Sequence, residues 1–169
     1  MENLDNFSLL AIQRFLEEIG IEVIFTSLTE DTFLPGIKID RGKLLVDKSR
    51  LLYVGDLLHE AGHIALLEPG ERLLRSGDLT GQENQEAIEM AVIAWSFAAS
   101  LEAGIDPAVV FHNSGYHGGG KNILENFKDG RYFGVPILEW LGLTDRPAAT
   151  GPEERFVYPK MRRWIRNVA

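Results

Sequence analysis

Apolar side chains recur at helical spacing near the start of the chain: Phe7, Leu10, Ile12, Phe15, Leu16 and Ile19 share one face, which predicts a helix over 4–19. Gly20 is placed to end it, as the residue that takes a left-handed conformation most cheaply. The period then shortens. "IEVIF" at 21–25 reads as a strand, and "GIKI" and "LLV" flank an Asp40-Arg41-Gly42 turn, the pattern of a β-hairpin. From Leu51 the period is helical again, through "LLYVGDLLHEAGHIALL", until Pro69-Gly70 stops it. Thr80-Gly81-Gln82-Glu83 has the T-x-x-E form of a capping box and opens a further helix that runs to Gly104. These two helices are rich in Ala and Leu and are expected to pack together. After Asp106-Pro107 the pattern breaks into short segments. Among them "GRYFGVPILEWLGL" is interrupted by Gly134 and Pro136 and is assigned to core packing. At the end, Met161, Trp164, Ile165 and Val168 alternate with Lys160, Arg162, Arg163 and Arg166. The expectation there is a basic terminal helix that docks its Trp on an acidic body. The predicted fold is α+β, a single domain over 1–169 with a short early β-sheet followed by a helix pair.

Composition narrows the function classes. With 45% hydrophobic residues, a chain of 169 residues can bury a core without metal or disulfide staples. A formal net charge of −8 offers no general attraction to nucleic acid or to an anionic membrane surface, so neither is expected as a partner. The absence of Cys means that any metal must be held by nitrogen and oxygen. The N-terminal stretch is acidic and lacks the positive region of a signal peptide, and no apolar run reaches membrane-spanning length; the expected location is cytoplasmic.

The chemistry concentrates in "LLHEAGHIAL". On a helix, His59 and His63 are four residues apart, so both imidazoles project from one face and can take two positions of a tetrahedral Zn²⁺. Glu60 lies one position round the helix, where its carboxylate can act as a general base on water; together the three form HExxH. A catalytic zinc takes a third protein ligand. Glu86, Glu89, His112 and His117 are the candidates. From Ala87 to Ala99 the helix is apolar nearly all round except at Glu89 and Ser96, about 20° apart in projection, with Ser100 close by. A polar stripe of this kind is read as facing a polar cleft, which favours Glu89. Glu86 is the alternative, since beside Met90, Ile93 and Phe97 a lone carboxylate would be costly. Whichever glutamate is not a ligand could orient a ligand histidine.

A strand-hairpin, a HExxH helix, a loop and an Ala-rich helix bearing a Glu together resemble the minimal zincins of the glutamate-ligand type, including the ImmA/IrrE-like metallopeptidases. The resemblance covers roughly residues 36–102. It implies a compact, zincin-like α+β protease domain whose helix pair carries the metal site: His59 and His63 bind zinc, Glu60 activates water, and a Glu of the next helix completes the site. "EAIEMA" from Glu86 and "EMAVIA" from Glu89 each fit part of the family's ligand-helix pattern. No helix-turn-helix pattern accompanies it.

"HNSGYHGGGKN", His112 to Asn122, imitates a phosphate loop, because Gly115, Gly120 and Lys121 give G-x-x-x-x-G-K. Asn122 stands where the motif needs a hydroxyl for Mg²⁺, and "AVVF" is a short strand to precede it, so the nucleotide reading is set aside. The Gly-rich run 115–120 suits a loop whose backbone closely approaches another segment or an extended substrate. The family resemblance implies a downstream His or Tyr that polarises the scissile carbonyl, and Tyr116 and His117 are candidates. The expected function is a zinc-dependent metallopeptidase acting on a peptide or protein substrate, with a zinc-bound water activated by Glu60. The alternative is a non-catalytic zinc-containing module that binds a protein or peptide. Glu60 favours the enzyme, since a structural site has no use for a base there.

Overall fold

The computed structural model describes residues 2–77, 79, 83–147 and 155–167. It is a small α+β fold with a three-stranded sheet and, among the described residues, six α-helices. Helix α1 spans Glu2–Glu18 and ends as expected at Gly20, whose φ is +92°. Strand β1 is Val23–Phe25, β2 Ile37–Asp40 and β3 Lys43–Val46. β3 lies in the middle, parallel to β1 and antiparallel to β2 with Ile37 opposite Val46 and Ile39 opposite Leu44. The hairpin turn is Arg41-Gly42, both with positive φ, the two-residue geometry whose twist matches that of the strands it joins. Ile37, Ile39, Leu44 and Val46 point inward and are buried. That face of the sheet is covered by α2, Asp56–Leu66, the HExxH helix.

Helix α2 begins five residues later than the periodicity predicts. Gly55 explains the delay: a Cβ there would lie 2.0 Å from the Val109 carbonyl oxygen, so another segment crosses the backbone directly before the helix. Residues 51–53 instead form no regular element, and Tyr53 stacks on His112. At the other end α2 stops at Leu66, before Pro69. The proline opens a short helix α3, Pro69–Arg72, where its missing N–H costs nothing. Two arginines satisfy the carbonyls that the end of α2 leaves free. The Arg72 guanidinium donates to the Ile64 and Leu67 oxygens, and the Arg166 N–H donates to Ala65 O.

Helix α4 spans Gln85–Glu102, after Asn84 in the left-handed region. Thr80, Gly81 and Gln82 of the expected capping box lie outside the described residues. The α2–α4 contact is the centre of the molecule. Gly62 permits it, because a Cβ there would meet Val92 Cγ1 at 3.0 Å and Trp95 Cε3 at 3.3 Å. Val92, Trp95 and Ser96 of α4, all buried, lie over it. Ser96 and Ser100 were expected to face a polar cleft. Both are instead fully buried, Ser96 beside Gly62, and their hydroxyls donate to α4's own carbonyls, at Val92 and Phe97.

Beyond Asp106 the chain forms α5, Gly120–Lys128, and α6, Val135–Trp140, which packs on α4. The basic C-terminal segment docks its tryptophan as predicted, though it is irregular rather than helical. Trp164 packs edge-on against Phe15 and Trp95, and its carbonyl accepts the Trp95 Nε1–H at 2.9 Å. These backbone and ring contacts are specific to an extended path, so they override the 3.6-residue periodicity. Val168 lies outside the described residues.

Candidate metal centre

The i, i+4 spacing on α2 places His59 and His63 on one face, and their Nε2 atoms face each other at 3.3 Å. A carboxylate oxygen of Glu60 and one nitrogen of each histidine all lie within 4.8 Å of one another, a group able to hold a metal ion. Across the helix pair, Glu89 projects from the first half of α4 to the same point. Its Oε1 is 3.1 Å from His63 Nε2 and its Oε2 is 3.5 Å from His59 Nε2. Tetrahedral zinc with bonds of about 2.0–2.1 Å has its ligand atoms about 3.3 Å apart. The two imidazole Nε2 atoms stand at that edge length, and Glu89 turns a different oxygen to each, Oε1 to His63 and Oε2 to His59; two imidazoles with one carboxylate are a donor set suited to zinc. The residues therefore fit the ion.

Electrostatics prepare the same donors. Burial and the neighbouring His63 bring the His59 pKa down to about 4, against the partial pull of Glu89, so the ring is neutral at pH 7 and its lone pair is free. Burial raises the Glu89 carboxyl, but the His63 hydrogen bond and the two nearby imidazoles outweigh it and hold it below its ordinary value. The site opens into a cleft of about 620 Å³ with an apolar wall of Phe33, Leu34, Ile93 and Ile123. Glu60 lines this cleft. A second cavity of about 300 Å³ reaches His63 and Glu89 from the side of Leu67 and Ile88.

Of the residues singled out in the sequence, His59, Glu60, His63 and Glu89 come together. Glu86 does not: it is exposed in the first turn of α4, so its carboxylate is hydrated rather than buried among the apolar neighbours that made it a candidate. His112 is no part of the cluster either. Its Nε2 pairs with Asp56 Oδ1 at 2.8 Å, and burial raises the Asp56 carboxyl while His112 partly offsets the rise. His117 is exposed at the rim of the cleft. Lys121 is exposed beside Glu125, 3.8 Å away. Tyr116 does reach the site, but from behind: its hydroxyl lies 3.2 Å from His59 Nδ1, the nitrogen opposite the one that faces Glu89. Burial, with the charges of Asp56, Glu89 and Glu60, raises the pKa of that hydroxyl and keeps it protonated.

Asp56 was missed by sequence reasoning although a signal existed, since it stands three residues before His59 and thus on the same helical face. No sequence periodicity could have paired it with His112. Comparison with family models, with curated proteins and with solved structures finds no match to this chain, so the chemistry of the centre stands on the arrangement of His59, Glu60, His63 and Glu89.

Proposed function

We propose that this protein is a zinc-dependent metallopeptidase of the glutamate-ligand zincin type, with His59, His63 and Glu89 as the ligands. The observation that carries the reading is the convergence of two Nε2 atoms and one carboxylate at 3.1–3.5 Å on the floor of a cleft that Glu60 also lines. Bound there, zinc supplies a Lewis acid that acidifies water and polarises a carbonyl oxygen. Glu60 accepts a proton from the attacking water as its oxygen bonds to the carbonyl carbon. It then delivers that proton to the amine nitrogen as the C–N bond breaks, so acid and amine leave with the proton count balanced. Neutral His59 has a free lone pair for the ion, and the apolar wall of the cleft keeps bulk water from the reacting bond.

The test compares zinc content with hydrolysis. About one zinc per chain is expected in the wild type, with binding strongly weakened by His63→Ala or Glu89→Ala. Glu60→Gln is expected to keep zinc and fold while lowering hydrolysis of a peptide library by at least ~10²-fold. A zinc-loaded wild type that cleaves nothing, yet captures a peptide with an affinity unchanged by Glu60→Gln, identifies a non-catalytic binding module instead.

A further inference from the structure

The Gly-rich stretch is not a phosphate loop, yet its backbone is more constrained than a plain turn requires. Tyr116 and His117 both have φ of +54°, two consecutive non-glycine residues in the left-handed region, followed by Gly118 at +82°. Such conformations persist only where surrounding contacts impose them, and they cluster at functional sites. The contacts are present on both flanks. The His112 ring stacks on Tyr53 with centroids 3.8 Å apart and pairs with Asp56 in the first turn of α2. The Tyr53 hydroxyl donates to Ser114 Oγ at 2.8 Å. On the far flank Gly120 packs against the Phe111 and His112 carbonyls, where a Cβ would come within 2.6 Å of oxygen. The Tyr53 and Asp56 contacts fasten the loop to the segment that starts the HExxH helix, and the Gly120 contact closes the loop on its own entry. What they aim is the Tyr116 ring, which stands edge-on to His59 with its hydroxyl at Nδ1.

We propose that Tyr116 is a positioning residue for His59: its hydroxyl accepts the Nδ1–H and so fixes the tautomer and ring rotation that turn the Nε2 lone pair toward His63 and Glu89. The inference rests on the zinc reading above. A histidine can ligate through Nε2 only when the proton sits on Nδ1, and a partner for that proton selects the tautomer and locks the ring. Tyr116 meets this requirement from the side of the ring away from the cluster. Its hydroxyl is engaged at His59 Nδ1, a different task from the carbonyl polarisation its residue type suggested. The glycines serve the same end, because only a tightly folded loop brings the hydroxyl over His59; at Gly115, for example, a Cβ would press on His112 Cε1 at 3.2 Å.

The experiment uses the full chain as wild type, Tyr116→Phe and Tyr53→Phe. Zinc affinity is measured by competition with a chromophoric chelator, and the His59 tautomer by long-range ¹⁵N–¹H NMR of metal-free and zinc-loaded protein. Tyr116→Phe is expected to weaken zinc binding about 10–100-fold. It should also let the His59 Nδ1 proton exchange rapidly, with the circular dichroism spectrum unchanged. Tyr53→Phe, which loosens the latch and leaves the Tyr116 hydroxyl in place, should shift both readouts in the same direction by less; it carries the test if Tyr116→Phe fails to fold. Unchanged zinc affinity and an unchanged His59 proton in Tyr116→Phe overturn the proposal, and a lowered kcat alongside them would return Tyr116 to carbonyl polarisation. If the wild type binds no zinc, the metal reading fails separately. The metal-free spectra then decide: an Nδ1–H tautomer held in wild type and lost in Tyr116→Phe supports the positioning role, and the same tautomer mixture in both refutes it.

Discussion

The α2–α4 helix pair and the loop from His112 to Gly119 meet at His59, and they reach it by opposite means. In the pair, position follows from local geometry. Residues four apart share a face, Gly62 lets the two helices approach, and the donors project at fixed angles from rigid backbones. In the loop, position follows from tertiary contacts: a stacked ring, a His–Asp pair, a hydroxyl bond and two left-handed residues that no local preference favours. The pair can therefore supply ligands whose precision comes with helix formation itself. The loop adds a group that depends on the whole fold being complete. A centre divided in this way should lose structure when the pair is damaged and lose only tuning when the loop is damaged.

The largest effect should come from the middle of the pair. Trp95 is fully buried against Gly62, Phe15 and Trp164, and its indole N–H bonds the C-terminal segment. Trp95→Ala removes that packing and leaves the Trp164 carbonyl without its donor. It should cost about 3–5 kcal/mol in urea unfolding. A loss below about 1 kcal/mol would show that the pair does not set global stability.

Acid should act nearly as strongly, through His59. Its folded-state pKa is about 4 against an ordinary 6.5, so between those values the unfolded chain binds a proton that the folded chain excludes. Stability of the metal-free protein should therefore fall as pH drops from 6.5 toward 4 and lose nothing further through this group below that, a total of about 3 kcal/mol. Asp56, whose carboxyl is raised, works in the opposite sense, from the ordinary carboxylate value upward. Urea midpoints in a chelator-treated sample, compared with His59→Gln, isolate the effect. A flat profile for the wild type across that window would mean that the imidazole is not desolvated by the pair.

Damage to the loop should be milder. Gly120 starts α5 where a Cβ would strike the His112 and Phe111 carbonyl oxygens at 2.6 and 2.8 Å. Gly120→Ala must push the loop away, at a cost of roughly 1–3 kcal/mol by the usual magnitude of overpacking. The near-ultraviolet signals of Tyr53 and Tyr116 should change while helix content stays constant. If helix content falls as it does in Trp95→Ala, the loop and the pair are one cooperative unit and the division between them is wrong.

The same division decides what the sequence could reveal. The histidines of HExxH and the hairpin turn were legible because both are local patterns, a helical face and an Arg-Gly pair with positive φ. The argument for Glu89 is only half supported by the structure: the stripe it shares with Ser96 and Ser100 is real, but both serines are buried, with their hydroxyls on carbonyls of α4. The start of α2, the Asp56–His112 pair and the path of the C-terminal segment were not legible. Each depends on a contact between distant residues: Gly55 with Val109, Asp56 with His112, Arg166 with Ala65. Hydrophobic period carries no information about such partners, which is why the tail reads as a helix and folds as a clamp.

The smallest effect is the sharpest test of how the pair supplies ligands. Glu86 and Glu89 are separated by one short step along α4, and sequence gave each a case. The structure separates them by exposure: Glu89 meets both histidines, while Glu86 points to solvent in the first turn. An exposed glutamate near a helix N-terminus gains only about 0.3–1 kcal/mol from the helix dipole. Glu86→Ala should therefore lower stability by no more than that and leave zinc affinity within about twofold, in contrast to the strong loss expected of Glu89→Ala. A chelator titration in which Glu86→Ala weakened zinc more than Glu89→Ala did would mean that α4 turns by about 60° and slides by roughly 4.5 Å when metal binds. The pair would then be an adjustable part of the centre, and the rigidity attributed to it here would have to be reassigned to the loop.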